Sequence, residues 1–143
     1  MKIQQLSIFV ENKCGRLQEI TQALEEEKIN IRAMSVADTS DFGILRLIVD
    51  NPEKAVDSFR SHGMTLSLTS VIGIGISDEP GAFARAVKIL SEANIGIEYL
   101  YDYNSRQIGK ACIILRVDDE DRAIEVLEKN GIKMLTAKDV YNV

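Results

Sequence analysis

Two rhythms of apolar residues alternate along the chain, and polar joints separate them. LSIFV (6–10), ILRLIV (44–49), VIGIGI (71–76) and CIILRV (112–117) are short apolar runs rich in β-branched residues, which predicts strands. The almost continuous apolar character of ILRLIV and CIILRV, each interrupted by one arginine, predicts central positions in a sheet. Leu17, Ile20 and Leu24 form one helical stripe, and Phe83, Val87 and Leu90 form another. INIRAMSVA (29–37) and IGIEYLYDY (95–103) read as extended, with turns at Gly43 and in NSRQIG (104–109). PEKAVDSFRSHG (52–63) and DEDRAIEVLEKNG (119–131) read as helices opened by acidic residues and closed by glycine. MTLSLTS (64–70) and IKMLTA (132–137) read as final strands.

The same order occurs twice. Leu6–Ile31 lies over Ile72–Ile97 without a gap, with identities at Ile8/Ile74, Gly15/Gly81, Leu24/Leu90, Glu26/Glu92, Ile29/Ile95 and Ile31/Ile97. The register then moves by two residues, in the loops near Thr39–Gly43 and Asn104–Gly109. Beyond it, Leu47/Leu115, Val49/Val117, Asp50/Asp118, Ala55/Ala123 and Gly63/Gly131 coincide. Each half is therefore βαββαβ. The expected class is α+β: two ferredoxin-like copies, residues 1–70 and 71–143, with antiparallel sheets and helices on one face. No linker divides them, because strand four of the first copy runs into strand one of the second near Ser70. The copies are expected to pack side by side.

Composition narrows the function. The net charge is −5, and an acidic surface repels phosphate backbones, so nucleic acid is not an expected partner. The N-terminal stretch lacks a signal-peptide pattern and no apolar run approaches a membrane span, so the expected location is cytoplasmic, away from membranes. Cys14 and Cys112 are far apart, and His62 is the single histidine, so neither a metal site, a cofactor nor a nucleophilic triad is expected.

Candidate chemistry sits at the joint between the first strand and first helix of each copy, ENKCGRL (11–17) and SDEPGAF (77–83). Pro80 suits the first helical position, and Gly81 permits a turn or a close backbone approach. The first N–H groups of such a helix have no partner within it, and with the helix dipole they can receive a carboxylate or phosphate. Asn12 or Asp78 could cap those groups or accept from a ligand ammonium. On residue chemistry alone the plainer reading, a capped helix start, is the better supported.

The doubled pattern, the D-x-P-G-type joint and the INI entering strand two resemble the ACT domain, a small ligand-binding regulatory module of amino-acid metabolism. The resemblance covers nearly the whole chain as two tandem copies. It is close in SDEPGAFARAVKILSEANIGI and in ENKCGRLQEITQALEEEKINI, apart from Cys14 where the family often has proline. It implies a ferredoxin-like fold whose copies pair into a continuous sheet and bind amino acids between copies. It also implies ligand contacts from the joint and from the start of strand two. By position these are Asn12, Lys13, Cys14, Gly15 and Arg16, with Asn30 and Ile31, in the first copy. In the second they are Asp78, Glu79, Pro80, Gly81 and Ala82, with Gly96 and Ile97. Asp78 in place of Asn12 and Gly96 in place of Asn30 imply unequal sites.

Other residues carry lesser expectations. Tyr99, Tyr101 and Tyr103 alternate onto one strand face, an expected subunit interface. Gly73 and Gly75 imply close approach of another group to their face. Cys14 at a helix start is most simply a small residue in a proline slot. Cys112 reads as core, and His62 as a helix end. The expected function is a non-catalytic sensor that binds an amino acid, forms a homodimer and regulates an enzyme partner in trans. The alternatives are a dimerisation scaffold without ligand and, less well supported, an acylphosphatase-like hydrolase using Arg16 and Asn12.

Overall fold

The computed structural model describes residues 2–11, 13–38, 41–104 and 109–141, which divide into two compact units. One holds residues 4–69 together with Tyr141; the other holds residues 70–140 together with Lys2 and Ile3.

The first unit is built from β1 (Lys2–Glu11), α1 (Arg16–Glu26), β2 (Ile31–Asp38), β3 (Phe42–Val49), α2 (Pro52–Ser61) and the opening of β4 (Leu66–Ser77). β3 pairs antiparallel with β1 (Leu6 opposite Leu47, Ile8 opposite Leu45) and with β2 (Met34 opposite Leu47, Val36 opposite Leu45). On the other side of β1, the Phe9 N–H donates to the Thr65 carbonyl at 3.0 Å. Alternation along β1 and β3 turns Leu6, Ile8, Leu45 and Leu47 to one face, where they meet Ile20, Ala23 and Leu24 of α1 and Ala55, Val56 and Phe59 of α2. Both helices thus cover one side of the sheet.

The second unit repeats the scheme with the rest of β4, α3 (Ala82–Glu92), β5 (Ile97–Tyr103), β6 (Lys110–Val117), α4 (Glu120–Lys129) and β7 (Lys133–Leu135). β6 lies between β5 and β4, and β7 pairs with the far side of β4. Ile72, Ile74, Ile113 and Leu115 pack under Ala86 and Leu90 of α3 and Ala123 and Leu127 of α4.

Local chemistry explains the helix limits. Asn51 and Asp119 cap α2 and α4, accepting the N–H groups of Lys54 and Arg122 at 3.2 Å. Gly63 (φ +73°) and Gly131 (φ +79°) turn the chain out of those helices. The next residues, Met64 and Ile132, then donate their N–H back to Phe59 and Leu127, each at 3.0 Å. His62 closes α2 as expected, with its ring bonded to the Ser58 carbonyl at 2.7 Å.

Several expectations need correction. MTLSLTS and VIGIGI are not successive strands but one, β4, because no residue between them breaks extended geometry. The C-terminal residues form a short helix, α5 (Ala137–Tyr141), that the periodicity did not announce. It overturns the reading of the tyrosine stripe. Tyr101 and Tyr103 are buried in the chain's own structure, and the Tyr103 hydroxyl donates to the Val140 carbonyl of α5 at 3.3 Å. They are not an open interface. Gly73 does meet close neighbours: a Cβ there would lie 3.0 Å from Leu135 Cδ1 and 3.1 Å from Ile3 Cδ1. Gly75 has nothing nearer than 3.8 Å, so the same reason does not extend to it. Cys112 is half-buried rather than core. The length difference between the copies, assigned to Thr39–Gly43 and Asn104–Gly109, lies largely outside the described residues.

Candidate functional site

The two joints have nearly the same backbone. Gly15 (φ 92°, ψ −12°) and Gly81 (φ 86°, ψ −14°) are the N-cap residues of α1 and α3, both left-handed. Arg16 N–H donates to Lys13 O at 3.3 Å, and Ala82 N–H to Glu79 O at 3.2 Å. A glycine cap has no side-chain acceptor to give, and neither helix start has a side-chain cap. A Cβ at either glycine would meet nothing within 4 Å, so both serve the turn and not a close approach.

This geometry corrects two expectations. Pro80 is not the first helical residue but precedes the cap, because the left-handed Gly81 stands between it and Ala82. Asp78 does not cap α3; its backbone N–H is held by the Gly109 carbonyl at 3.0 Å, on the far side of the turn. Asn12 lies outside the described residues.

The joints differ in charge. Glu11 lies 3.0 Å from Lys13 Nζ and 3.7 Å from Arg16, and Arg16 also meets Glu19 at 3.0 Å. The hydrogen bond and charge of Lys13, with help from Arg16, hold the Glu11 carboxyl below its usual range. Glu19, then Glu11, raise the Arg16 guanidinium. Cys14 is exposed beside them. In the second copy Ala82 replaces this arginine, and Asp78, Glu79 and Pro80 are exposed.

The starts of strand two do not join these residues within a copy. Glu11 pairs with Phe42 and Asp38 with Gly43, so the first joint lies where β2 ends. Ile31 pairs with Val49, at the other end of the sheet. There the Asn30 N–H donates to Asp50 Oδ1 at 3.0 Å, and Asp50 N–H returns to Asn30 O at 3.1 Å. The second copy matches: Ser77 pairs with Lys110, while Ile97 pairs with Val117. Gly96, Ile97 and Asp118, with Val87, Ser91 and Asn94, line a hollow of about 400 Å³ at that far end.

A larger hollow, about 490 Å³, opens at the first joint. Arg16, Glu11 and Glu19 line it with Phe9, Phe42, His62 and Thr65. Reading the sequence missed all of these except Arg16 as site residues. They come from the end of β1, the start of β3 and the segment after α2, and only the strand register brings them together. Among the described residues no group of three or more His, Cys, Asp or Glu side chains could hold a metal ion. None of their helices is long and apolar enough to cross a membrane.

Comparison with known proteins agrees with this architecture. A family model described as an ACT domain pair matches residues 1–143. The crystal structure of protein BT0572 from Bacteroides thetaiotaomicron is 39% identical, with a TM-score of 0.94 over 100% of this chain and 98% of that one. The ligand-free regulatory subunit of aspartate kinase from Thermus thermophilus has a TM-score of 0.63 at 14% identity, over 88% and 90% of the two chains. A putative C-terminal regulatory domain of aspartate kinase from Porphyromonas gingivalis has a TM-score of 0.54 at 12% identity, over 90% and 93%. No curated protein matches significantly.

Proposed function

The chain belongs to the ACT-domain family, and from that premise we propose that it is a non-catalytic regulatory module that binds an α-amino acid at its strand–helix joints. The observation that carries the reading is the repeated glycine N-cap. At both joints a left-handed glycine opens the helix without a side-chain cap. This leaves the positive end of the helix to meet a carboxylate. At the first joint Glu11 stands close by as an acceptor for an ammonium group.

The joint and the strand-two start occupy opposite ends of one copy. A ligand that touches Lys13–Arg16 or residues 78–82, and also Asn30 and Ile31 or Gly96 and Ile97, must therefore be held by two copies. We place the second copy in a partner chain, in a homodimer. β2 is the outer strand of its unit, with Met34 and Val36 more than half exposed along it and Leu17 of α1 exposed as well. A ligand bridging two copies favours one arrangement over another, and that preference is what an enzyme regulated in trans would sense. The fold is shared with regulatory subunits of aspartate kinase, which supports a regulatory role of this kind.

A thermal-shift panel of the twenty amino acids tests the reading. A ligand that binds the native state raises its apparent stability. An amino acid should shift the melting temperature, and Asn12→Ala should remove the shift. The absence of any shift would leave both joints as structural helix starts in a dimerisation scaffold.

A further inference from the structure

We propose that each chain holds one amino acid, at the first joint alone, and that this ligand carries an apolar side chain of about leucine's size. This deepens the reading above and rests on it. A second hollow of the first copy, about 180 Å³, carries the argument. Val10, Leu17, Val36 and Leu45 form its wall, and Gly43 its floor. Strand pairing fixes the face on which it lies. Leu45 stands opposite Ile8 and Val36, and Val10 stands opposite Gly43, so all of them share the side on which Ile8 packs toward α1. Leu17 and Val36 are 54% and 60% exposed, and both gain when an apolar group covers them. At about 30 Å³ for each water-sized group, the space takes a leucine side chain. Val36 belongs to the outer strand β2, so the hollow opens where the reading above places the partner copy.

The second copy has the same register here and fills the space itself. Ile76 pairs with Ala111, and Ile113 with Ile74 and Asp102, as Val10 pairs with Gly43 and Leu45 with Ile8 and Val36. Ala111 thus stands at the place of Gly43, and Phe83 at the place of Leu17. Both pack against the second core. Asp102 replaces the Val36 wall with a charge. The fold therefore accepts larger side chains at both places, and the smaller pair in the first copy leaves room.

The rim separates the copies in the same way. Glu11, Lys13 and Arg16 border the first hollow, and Arg16 also reaches Glu19. The two cations and two carboxylates balance, which suits a zwitterion better than a net anion or cation. Arg16 meets Glu19 through Nη1 and Glu11 through Nη2, and its further N–H groups serve a carboxylate. Among the described residues, Lys13 and Arg16 both meet Glu11 at Oε2, so Oε1 serves an ammonium. At the second joint Asp78 and Glu79 stand where the first has Asn12 and Lys13, and Ala82 replaces the arginine. A ligand carboxylate loses both cations there and meets two acids.

Isothermal titration of the full chain with leucine, isoleucine, glycine, aspartate and lysine tests the proposal, on wild type, on Gly43→Ala and on Gly43→Ala combined with Leu17→Phe. One ligand should bind per chain, and leucine and isoleucine about tenfold or more tighter than the other three. The double variant copies side chains that the second copy carries, so it should keep the wild-type melting temperature. In it, leucine should fall to within about twofold of glycine, because the hollow is filled. Gly43 is buried, so Gly43→Ala alone leaves the exposed face of β2 as it is. It should remove part of leucine's advantage, which separates filling of the hollow from a change at the dimer face. The wild-type ranking and stoichiometry decide the matter if the variants do not fold. Two ligands per chain, tighter binding of glycine, aspartate or lysine, or a leucine advantage that survives the double variant overturns the proposal and leaves the amino-acid reading standing. Binding of none of the five overturns it as well, and a flat thermal-shift panel then overturns both.

Discussion

Gly96 donates its backbone N–H to both carboxylate oxygens of Asp118, each at 3.1 Å, and a Cβ on Gly96 would lie 2.8 Å from Asp118 Oδ2. The carboxylate thus occupies the space that any side chain at position 96 would need. In the first copy Asn30 fills that position, and its N–H reaches a single oxygen of Asp50. The loss of an amide at Gly96, which reads from sequence as a weakened ligand contact, has this structural cause at the start of β5. Gly96→Ala should cost about 1 kcal/mol by displacing one of the paired bonds. It should cost almost nothing more in an Asp118→Ala background, where nothing is displaced. A double-mutant cycle of denaturant midpoints reads this coupling.

Gly15 and Gly81 should respond differently from Gly73. Alanine at either cap meets open space but must adopt a left-handed backbone, at a cost of about 1–2 kcal/mol, and asparagine should recover part of it. Gly73→Ala keeps a permitted backbone but presses on Leu135 and Ile3, so it should cost about 1–3 kcal/mol, with no recovery from asparagine. Urea unfolding of the six variants, alanine and asparagine at each glycine, separates strain from crowding.

The Glu11 carboxyl should titrate below 4.5. Its folded pKa is depressed, so its contribution to stability is present above the unfolded pKa and disappears as pH falls through the folded value. The group is fully exposed, so salt should screen the effect and bring the midpoint back toward 4.5. Carboxyl-carbon NMR titration at low and high salt, on wild type and Lys13→Ala, measures it. A midpoint indifferent to both changes would contradict the ion pair.

The tail helix should depend on its cap. Thr136 N–H donates to Asp139 Oδ2 at 2.8 Å and Asp139 N–H to Thr136 Oγ1 at 3.1 Å, a reciprocal pair. The Thr136 amide holds the Asp139 carboxyl below its usual value of 3.8. Thr136→Ala should cost about 1 kcal/mol and speed amide exchange at Val140. Acid should have the same effect as pH falls through the depressed Asp139 value.

A homodimer closed along β2 should separate when Met34 and Val36 become charged. Met34→Glu with Val36→Lys should give a folded monomer in sedimentation, since neither residue is buried in one chain. A double variant that stays dimeric would place the contact elsewhere.

What could be read without coordinates was whatever depends on residues close in sequence. Periodicity placed the strands and helices because a buried face imposes its own spacing on each element, and the duplicate of Leu6–Ile31 at Ile72–Ile97 doubled that signal. The helix ends at Gly63 and Gly131 were equally plain, since a left-handed residue is needed there. Even the cap of α5 was written locally, in TAKD, though its five residues are too few to show a helical stripe. The rest was decided by residues far apart in the chain. Nothing in VIGIGI says that it continues MTLSLTS as one strand, because extended geometry is broken by neighbours and not by composition. The strand register alone set the joints and the strand-two starts at opposite ends of each copy. It also gathered Phe9, Phe42, Arg16 and His62 around one hollow. Local sequence sets how each segment folds, but the facing of one segment by another depends on hydrogen-bond pairing across the sheet, and no local pattern records that pairing.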